Sequence, residues 1–223
     1  MPADVLPGYT WSGAASRYRS NATGRFVARR DVLGLLDGQV QSAGQRLGDL
    51  TTALHEGRIA PSVWADQMQS ELRRLHSQNR ALAVGGWDRM TQRDWGAVGG
   101  KLHGDYARVR RLAEDIQAGN CTLPQALSRV NGYIGNARTQ FWNGEREGRQ
   151  HGAGMTLIER RHLSNSEHCQ DCVDYYDRGW CTVGVLPMPG EDSQCNTHCQ
   201  CTISLREVPT EELGNWLGTK RQG

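Results

Sequence analysis

Six of the seven cysteines of this 223-residue chain lie in one window, residues 167–205. Cys169 and Cys172 form a C-x2-C pair, and a second group follows the turn-forming segment PMPGEDS. That second group reads CNTHCQC and contains Cys195, Cys199 and Cys201. Thiols at this density restrict what the window can fold into, because they must be bridged to one another, bound to a metal or kept reduced.

The spacing of the two cysteine groups favours a structural zinc site. A C-x2-C turn presents two thiolates to one ion, and tetrahedral zinc takes its other ligands from a second such group. Bound thiolates then stabilise a module whose apolar core is too small to be stable alone. The candidate ligands are Cys169, Cys172, Cys195, Cys199 and Cys201. Cys199 and Cys201 both bind if they share one face of a strand, or Cys195 replaces one of them.

A disulfide framework and a set of unligated thiols are the alternatives to zinc. Disulfides are disfavoured because the N-terminal sequence MPADVLPGYTWSG lacks the charged and apolar regions of a signal peptide, so we expect the chain to stay in the cytosol in which it is made. A catalytic zinc needs an open coordination position, and four or five thiols favour a closed one. We therefore predict a structural site and no enzyme. Cys121 and Cys181 are interpreted as small hydrophobes.

Upstream of the cysteine window, apolar residues recur at intervals of three and four, the period of one helix face. The pattern predicts helices over residues 31–54, 61–82, 91–116 and 122–148. Short loops between them predict antiparallel neighbours. Two helix starts have the spacing of a capping box, namely Thr91 with Asp94 and Thr122 with Gln125.

The aromatic residues and histidines of this helical region carry no catalytic pattern. Tryptophans at helical spacing usually belong to the core, which is how we interpret Trp64, Trp87, Trp95 and Trp142. The histidines have no acidic or cysteine partner at catalytic spacing, so surface positions are predicted for His55, His76, His103 and His151. The sequence contains no glycine-rich phosphate loop, nucleophile elbow or metalloprotease motif, which lowers the odds of an enzyme.

The periodicity changes after the glycine-rich segment GEREGRQHGAGM, where TLIERRHL and CTISLREV are typical of strands. The predicted fold is therefore mainly α, an antiparallel helical N-terminal region followed by a small, zinc-stapled, β-rich C-terminal module. Its predicted divisions are a basic extended arm (1–30), a helical domain (31–150), the cysteine module (155–208) and a C-terminal tail (209–223).

Charge is distributed unevenly along a chain whose formal net charge is only +2. Residues 1–30 contain five arginines against one aspartate, whereas residues 167–195 are acidic. An arm that lies on a partner, with non-specific DNA contact, is one interpretation of the basic segment, and a solvated terminus is the other. The acidic window disfavours a zinc module that grips nucleic acid, which is the alternative function. No apolar run is long enough to span a membrane.

The segment from Glu159 to Ile203 resembles the C-terminal region of tailed-phage minor head proteins, the head-morphogenesis or Mu F-like family. Their hallmark is a C-x2-C pair, a Pro/Gly turn and a terminal C-x-C. The segments GGWDRMTQRDWGAVGGKLHGDYARVRRLAEDIQAG and TGRFVARRDV are similar to the helical region and the N-terminal entry of such proteins. The resemblance extends from about residue 17 to 206. Where the family often has His-Pro-Asn, this chain has Cys195-Asn-Thr-His198, which leaves the fourth ligand open.

The resemblance implies a structural protein of the virion. Such a protein assembles at or near the portal vertex or inner capsid while the head forms in the host cytoplasm. Its implied partners are the portal protein, the major capsid protein or further copies of itself. The hydrophobic content of 37% and mean hydropathy of −0.64 agree with helices that complete their burial on a partner.

Overall fold

The computed structural model describes residues 5–149, 152–164 and 167–220. Within them the helices are α1 (Arg29–His55), α2 (Pro61–Val84), α3 (Gln92–Gln117), α4 (Leu123–Gly148), α5 (Gln170–Asp177) and α6 (Leu213–Trp216). The strands are β1 (Tyr9–Ser12), β2 (Arg17–Ser20), β3 (Met155–His162), β4 (Cys181–Thr182) and β5 (Thr202–Pro209). This confirms the mainly α fold class with a small antiparallel sheet in its C-terminal part.

The chain divides into two compact units, Met1–Gly144 and Glu145–Gly223. The division falls inside the last turns of α4, directly after the first residue of the glycine-rich segment that the sequence indicates as a linker. None of the described helices is both long and apolar enough to cross a membrane.

The four long helices of the first unit begin and end within two residues of the predicted bounds. Their periodic apolar residues meet in one core, as the amphipathic pattern requires. Its best buried members are Ala43, Leu47, Trp64, Met68, Leu72, Leu75, Val98, Val109, Leu112, Ala126, Val130 and Ala137. α1 lies beside α4 at ordinary contact distance, since a Cβ added at Gly44 or Gly48 would lie 3.9 Å from Ile134 Cδ1 or 3.7 Å from Leu127 Cδ2.

The start of α3 is fixed by a capping box and a buried ion pair. The Asp94 backbone N–H donates to Thr91 Oγ1 at 3.3 Å, and Asp94 Oδ2 accepts from the Thr91 backbone N–H at 2.8 Å. The second carboxylate oxygen accepts from Arg80 Nε at 2.7 Å and Arg80 Nη2 at 2.6 Å. Because Arg80 and Asp94 are both buried, this pair joins α2 to α3 in a position that water does not reach.

The prediction that the four tryptophans are core residues is correct for Trp64 and Trp142, which are fully buried. It is wrong for Trp95, which is 36% exposed and stacks on the half-buried Trp87 with ring centroids 6.1 Å apart. A helical period alone does not distinguish a core face from one that only borders the core.

The surface prediction is wrong for His76, which is fully buried with Nε2 3.3 Å from Asp105 Oδ2. The partner lies on α3, 29 residues away, so sequence spacing could not reveal it. His55 and His103 are exposed as predicted, and His151 lies outside the described residues.

The prediction of an extended arm over residues 1–30 is wrong for its central part. β1 and β2 form an antiparallel hairpin in the first unit, in which Tyr9 pairs with Ser20 and Ser12 with Arg17. Tyr18 is buried, and its hydroxyl donates to the Leu82 carbonyl at 2.9 Å.

The hairpin packs against the C-terminal end of α2. Gly85 follows α2 with a positive φ of 101°, and a Cβ there would lie 2.4 Å from the Trp11 ring. This position therefore requires glycine both for its backbone conformation and for the aromatic ring that covers it.

The second unit contains a three-stranded sheet in the order β4-β3-β5. β3 and β5 pair antiparallel along their whole length, from Met155 opposite Pro209 to His162 opposite Thr202. One apolar cluster of this unit has Ile158, Trp180 and Val208 at its centre. Further buried apolar residues of the unit are Leu157, Leu186, Met188, Ile203 and Leu205.

The prediction of a C-terminal tail from residue 209 is wrong, because the chain folds back on the sheet. Trp216 packs edge-on against Trp180 with ring centroids 6.2 Å apart, and the Arg206 guanidinium lies over both rings. The Trp180 backbone N–H donates to the Thr219 carbonyl at 3.0 Å, and the Gly218 N–H donates to the Trp180 carbonyl at 2.9 Å. We call this arrangement the tryptophan clasp.

Candidate metal centre

The first cysteine pair lies at the start of α5. Cys169 is the extended residue that precedes the helix, and its carbonyl accepts from the Cys172 backbone N–H at 3.1 Å. The C-x2-C turn is thus the first turn of a helix, which brings both thiols to one side. The partial positive charge at a helix N-terminus favours the thiolate form of such residues.

The second cysteine group is carried by a tight turn that leads into β5. Cys195 precedes a single 3₁₀ turn, Cys199 follows it, and Cys201 comes immediately before the first residue of β5. Asn196 adopts a positive φ of 44°, a conformation that asparagine tolerates better than most residues. The Gln194 backbone N–H donates to Asp171 Oδ2 at 2.8 Å, which ties this turn to α5.

The five candidate thiols converge in one cluster, as the sequence predicts. Cys172 Sγ lies 3.5 Å from Cys195 Sγ and 3.7 Å from Cys199 Sγ. Sulfur atoms in a tetrahedral zinc site are about 3.8 Å apart, because each zinc–sulfur bond is about 2.3 Å. Cys172, Cys199 and Cys201 are buried, whereas Cys169 and Cys195 are partly exposed. The donor set and these spacings therefore fit a thiophilic metal ion such as zinc.

His198 and the other two cysteines, Cys121 and Cys181, do not belong to the cluster. His198 is exposed and belongs to neither group of candidate ligands. Cys121 is buried in the helical core, as expected of a small hydrophobe. Cys181 is only partly buried, on β4. All seven cysteines are free thiols in this structure.

Arg161 is a buried cation beside the thiols that the sequence analysis did not single out. It lies on β3, is fully buried, and donates from Nη1 to Cys199 Sγ at 3.8 Å. Its Nη2 donates to the Pro187 carbonyl, and its guanidinium lies over the Tyr175 ring at 5.4 Å. The sequence signal that could have indicated this role is an arginine within the strand-like segment ERRH, since the interior of a strand rarely holds a charge without a partner.

His168 is a second residue that the motif search overlooked. Its Nδ1 lies 3.9 Å from Cys201 Sγ, and its Nε2 lies 2.9 Å from the Ser164 carbonyl. Because a carbonyl can only accept, Nε2 carries the proton and the Nδ1 lone pair faces the cluster. The position of His168 directly before Cys169 in the sequence could have suggested that its ring lies beside the thiols.

The thiols of the cluster differ in the direction in which their pKa values are shifted. The pKa of Cys199 falls to about 4, chiefly because the Cys201 thiol donates a hydrogen bond to it, with smaller contributions from the Cys201 backbone N–H and the nearby Arg161 guanidinium. The hydrogen bond to Cys199 and burial raise the pKa of Cys201, and burial above all raises the pKa of Cys172. Cys199 therefore loses its proton readily without metal, whereas a bound cation deprotonates coordinating thiols outright.

No family model, curated protein or solved structure matches this chain. The interpretation of the cluster therefore depends on its own geometry. Its two compact ligand groups consist of cysteines alone. Five converging thiols with mostly buried sulfurs can hold a metal and cross-link α5, the 3₁₀ turn and β5.

Proposed function

We propose that this protein is a minor structural protein of a tailed-phage head, in which zinc staples the C-terminal unit. The observation that carries the proposal is the convergence of five cysteines from a C-x2-C turn and a CNTHCQC turn. This arrangement matches the hallmark of the minor head proteins that the sequence resembles. The proposed place of assembly is at or near the portal vertex or the inner capsid, with the portal or capsid protein as partner.

A structural role for the metal is supported by the surroundings of the thiols. Zinc sites that hydrolyse substrates combine three protein ligands with a bound water and a general base. Here the candidate groups contain no carboxylate, and the cation nearest the cluster is the buried Arg161. We therefore propose that the protein is not an enzyme.

The metal proposal predicts that protein purified without a tag and without added metal contains at least one zinc ion per chain. Removal of the ion with a strong chelator should unfold the second unit, because thiolate–zinc bonds would cross-link the elements that carry the cysteines. Elemental analysis and the tryptophan fluorescence of Trp180 and Trp216 measure these two outcomes. Protein that contains no zinc while all thiols remain reduced would contradict the proposal.

The proposed contact surface for the head partner lies on α1. The apolar stripe of α1 turns mainly inward, since Leu36, Ala43, Leu47 and Leu54 are buried. Leu35 is instead 41% exposed and borders a shallow groove between α1 and α2. The lining residues of this groove are Gly34, Leu35, Gly38, Gln39, Ser42, Arg46, Glu71 and Arg74.

Leu35→Glu should weaken association with the portal or capsid protein while the chain remains folded. The added charge would face solvent in the free protein but would lose its hydration when a partner covers the groove. Co-purification and incorporation into heads measure the association, and circular dichroism checks the fold.

Val63→Glu is the matched control for Leu35→Glu, because Val63 is 44% exposed on α2 and does not line the groove. Leu36→Glu should unfold the helical unit instead, because Leu36 is fully buried. If the Leu35 and Val63 variants associate equally well with the portal or capsid protein, the groove is not the contact surface.

Non-specific DNA contact is proposed for the basic N-terminal segment. Arg17, Arg19 and Arg25 are exposed on the hairpin and its following turn, and Arg30 is exposed at the start of α1. Replacing both Arg25 and Arg30 by Gln should lower the salt dependence of duplex DNA binding, with a slope smaller by about two, since each lost phosphate contact contributes about 0.9.

The matched control for this variant neutralises two exposed arginines of α3, Arg110 and Arg111. Binding titrations at several salt concentrations compare the two variants. A larger slope change in the α3 variant would place any DNA contact on the helices.

A further inference from the structure

The five sulfur atoms do not form one compact set of four. They form two groups of three, Cys169 with Cys172 and Cys195, and Cys172 with Cys199 and Cys201. Within each group all sulfurs lie within 4.8 Å of one another, and no group of four among the described residues is that compact. A single tetrahedral ion needs four mutually adjacent donors, whereas each of these groups already forms one triangular face of a tetrahedron.

We propose that the cluster is a two-metal centre in which the Cys172 thiolate bridges two zinc ions. Cys172 is the sulfur common to both groups, and it lies between Cys195 and Cys199. It is also 1% exposed, so the bridge would be shielded from water. This inference rests on the proposed zinc site and specifies how many ions that site holds.

His168 lies outside both compact groups but beside Cys201, and it is assigned as the residue that would complete the ligands of the ion bound by Cys172, Cys199 and Cys201. Its Nδ1 lies on the Cys201 side of the cluster, 3.9 Å from that sulfur. Its Nε2 is oriented by the Ser164 carbonyl at 2.9 Å. A metal-bound histidine ordinarily donates its other ring N–H to a carbonyl or carboxylate, which fixes the tautomer and the ring orientation. His168 therefore already has this second hydrogen bond in place.

The charge of the buried cluster also favours two ions. One Zn²⁺ bound by four thiolates leaves a charge of −2 when the fifth thiol keeps its proton, whereas two Zn²⁺ bound by five thiolates leave −1. The buried Arg161 guanidinium beside Cys199 adds +1 and brings the two-ion centre to zero. Because uncompensated buried charge is strongly destabilising, the cluster is better matched by two ions than by one.

Native mass spectrometry of the untagged full-length chain counts the bound zinc ions directly. We expect two ions per chain in the wild-type protein, and two cadmium signals in the NMR spectrum after exchange with ¹¹³Cd. His168→Ala should weaken the second ion about tenfold or more in a metal titration. His198→Ala is the matched control, since this histidine lies in the same cysteine-containing turn but is exposed, and the variant should retain two ions.

The ion count separates this inference from the zinc proposal itself. One ion per chain, with a single cadmium signal, would overturn the two-metal centre and leave a conventional structural zinc site. A metal-free chain with reduced thiols would overturn both. Two ions whose affinities are the same in wild type and His168→Ala would overturn the assignment of His168 as a ligand.

Discussion

Replacing Cys172 by Ser should unfold the cysteine module, residues 155–208, while α1 to α4 remain folded. Cys172 belongs to both sulfur groups, so its loss disrupts every candidate metal-binding arrangement at once. Structural zinc contributes an apparent binding free energy of about 10–16 kcal/mol in small zinc domains, which exceeds the stability of most domains of this size. Limited proteolysis with mass spectrometry should therefore show rapid cleavage within this module.

The matched control is Cys181→Ser, which changes a thiol of the same unit outside the cluster. This variant should keep its zinc and its resistance to protease. Far-ultraviolet circular dichroism should show that the Cys172 variant retains most of its helical signal, since the helices have their own core. A uniform loss of helix would mean that the two units fold as one cooperative domain.

Asp94→Ala should destabilise the helical unit by about 3–5 kcal/mol, because it removes the buried carboxylate oxygen that accepts from both Nε and Nη2 of the buried Arg80. The same substitution removes the capping box of α3, which contributes about 1 kcal/mol more. Urea unfolding followed by helical circular dichroism measures the change. Asp115→Ala is the matched control on the same helix, because its ion pair with Arg129 is partly exposed and should contribute about 0–1 kcal/mol.

The effect of Asp94→Ala should depend on pH. Burial alone would raise the pKa of Asp94, but hydrogen bonds from Thr91 and Arg80 outweigh it and hold the pKa below its usual value. Stability from a lowered carboxyl pKa is present above the unfolded pKa of about 3.9 and is lost as pH falls through the folded pKa. The difference between wild type and variant should therefore be large at neutral pH and shrink below about pH 4. A pH-independent difference would assign the loss to packing.

The helices could be predicted because their information is local. The spacing of Val98, Leu102 and Val109 fixes one face of α3, and Thr91 with Asp94 fixes its start. The hairpin could not be predicted in this way, since Tyr18 stands alone as an apolar residue among arginines. The buried Tyr18 hydroxyl donates to the Leu82 carbonyl, 64 residues away, and the Trp11 ring of the hairpin occupies the space that Gly85 leaves open.

The candidate metal centre was predictable in its donors but not in its arrangement. Cysteine spacing indicates which thiols meet, because C-x2-C turns have few conformations. It does not indicate that Cys172 is shared, nor that Arg161 and His168 border the sulfurs. The position of Arg161 follows from the pairing of β3 with β5, which places it opposite Ile203, close to Cys201 in the chain. The positions of Cys172 and His168 depend on how α5 and the residue before Cys169 are placed beside that sheet.

The tryptophan clasp has a consequence for the affinity of the cluster, although it contacts none of the sulfurs directly. It packs on the β3–β5 ladder near the Pro209 end, whereas the cysteines gather beyond the Thr202 end. By holding the two strands in register, it raises the effective concentration of the CNTHCQC thiols around the C-x2-C pair. We therefore expect Trp180 and Trp216 to contribute to the preorganisation of the candidate ligands, so a change near the C-terminus should alter how tightly the cluster would hold a metal ion.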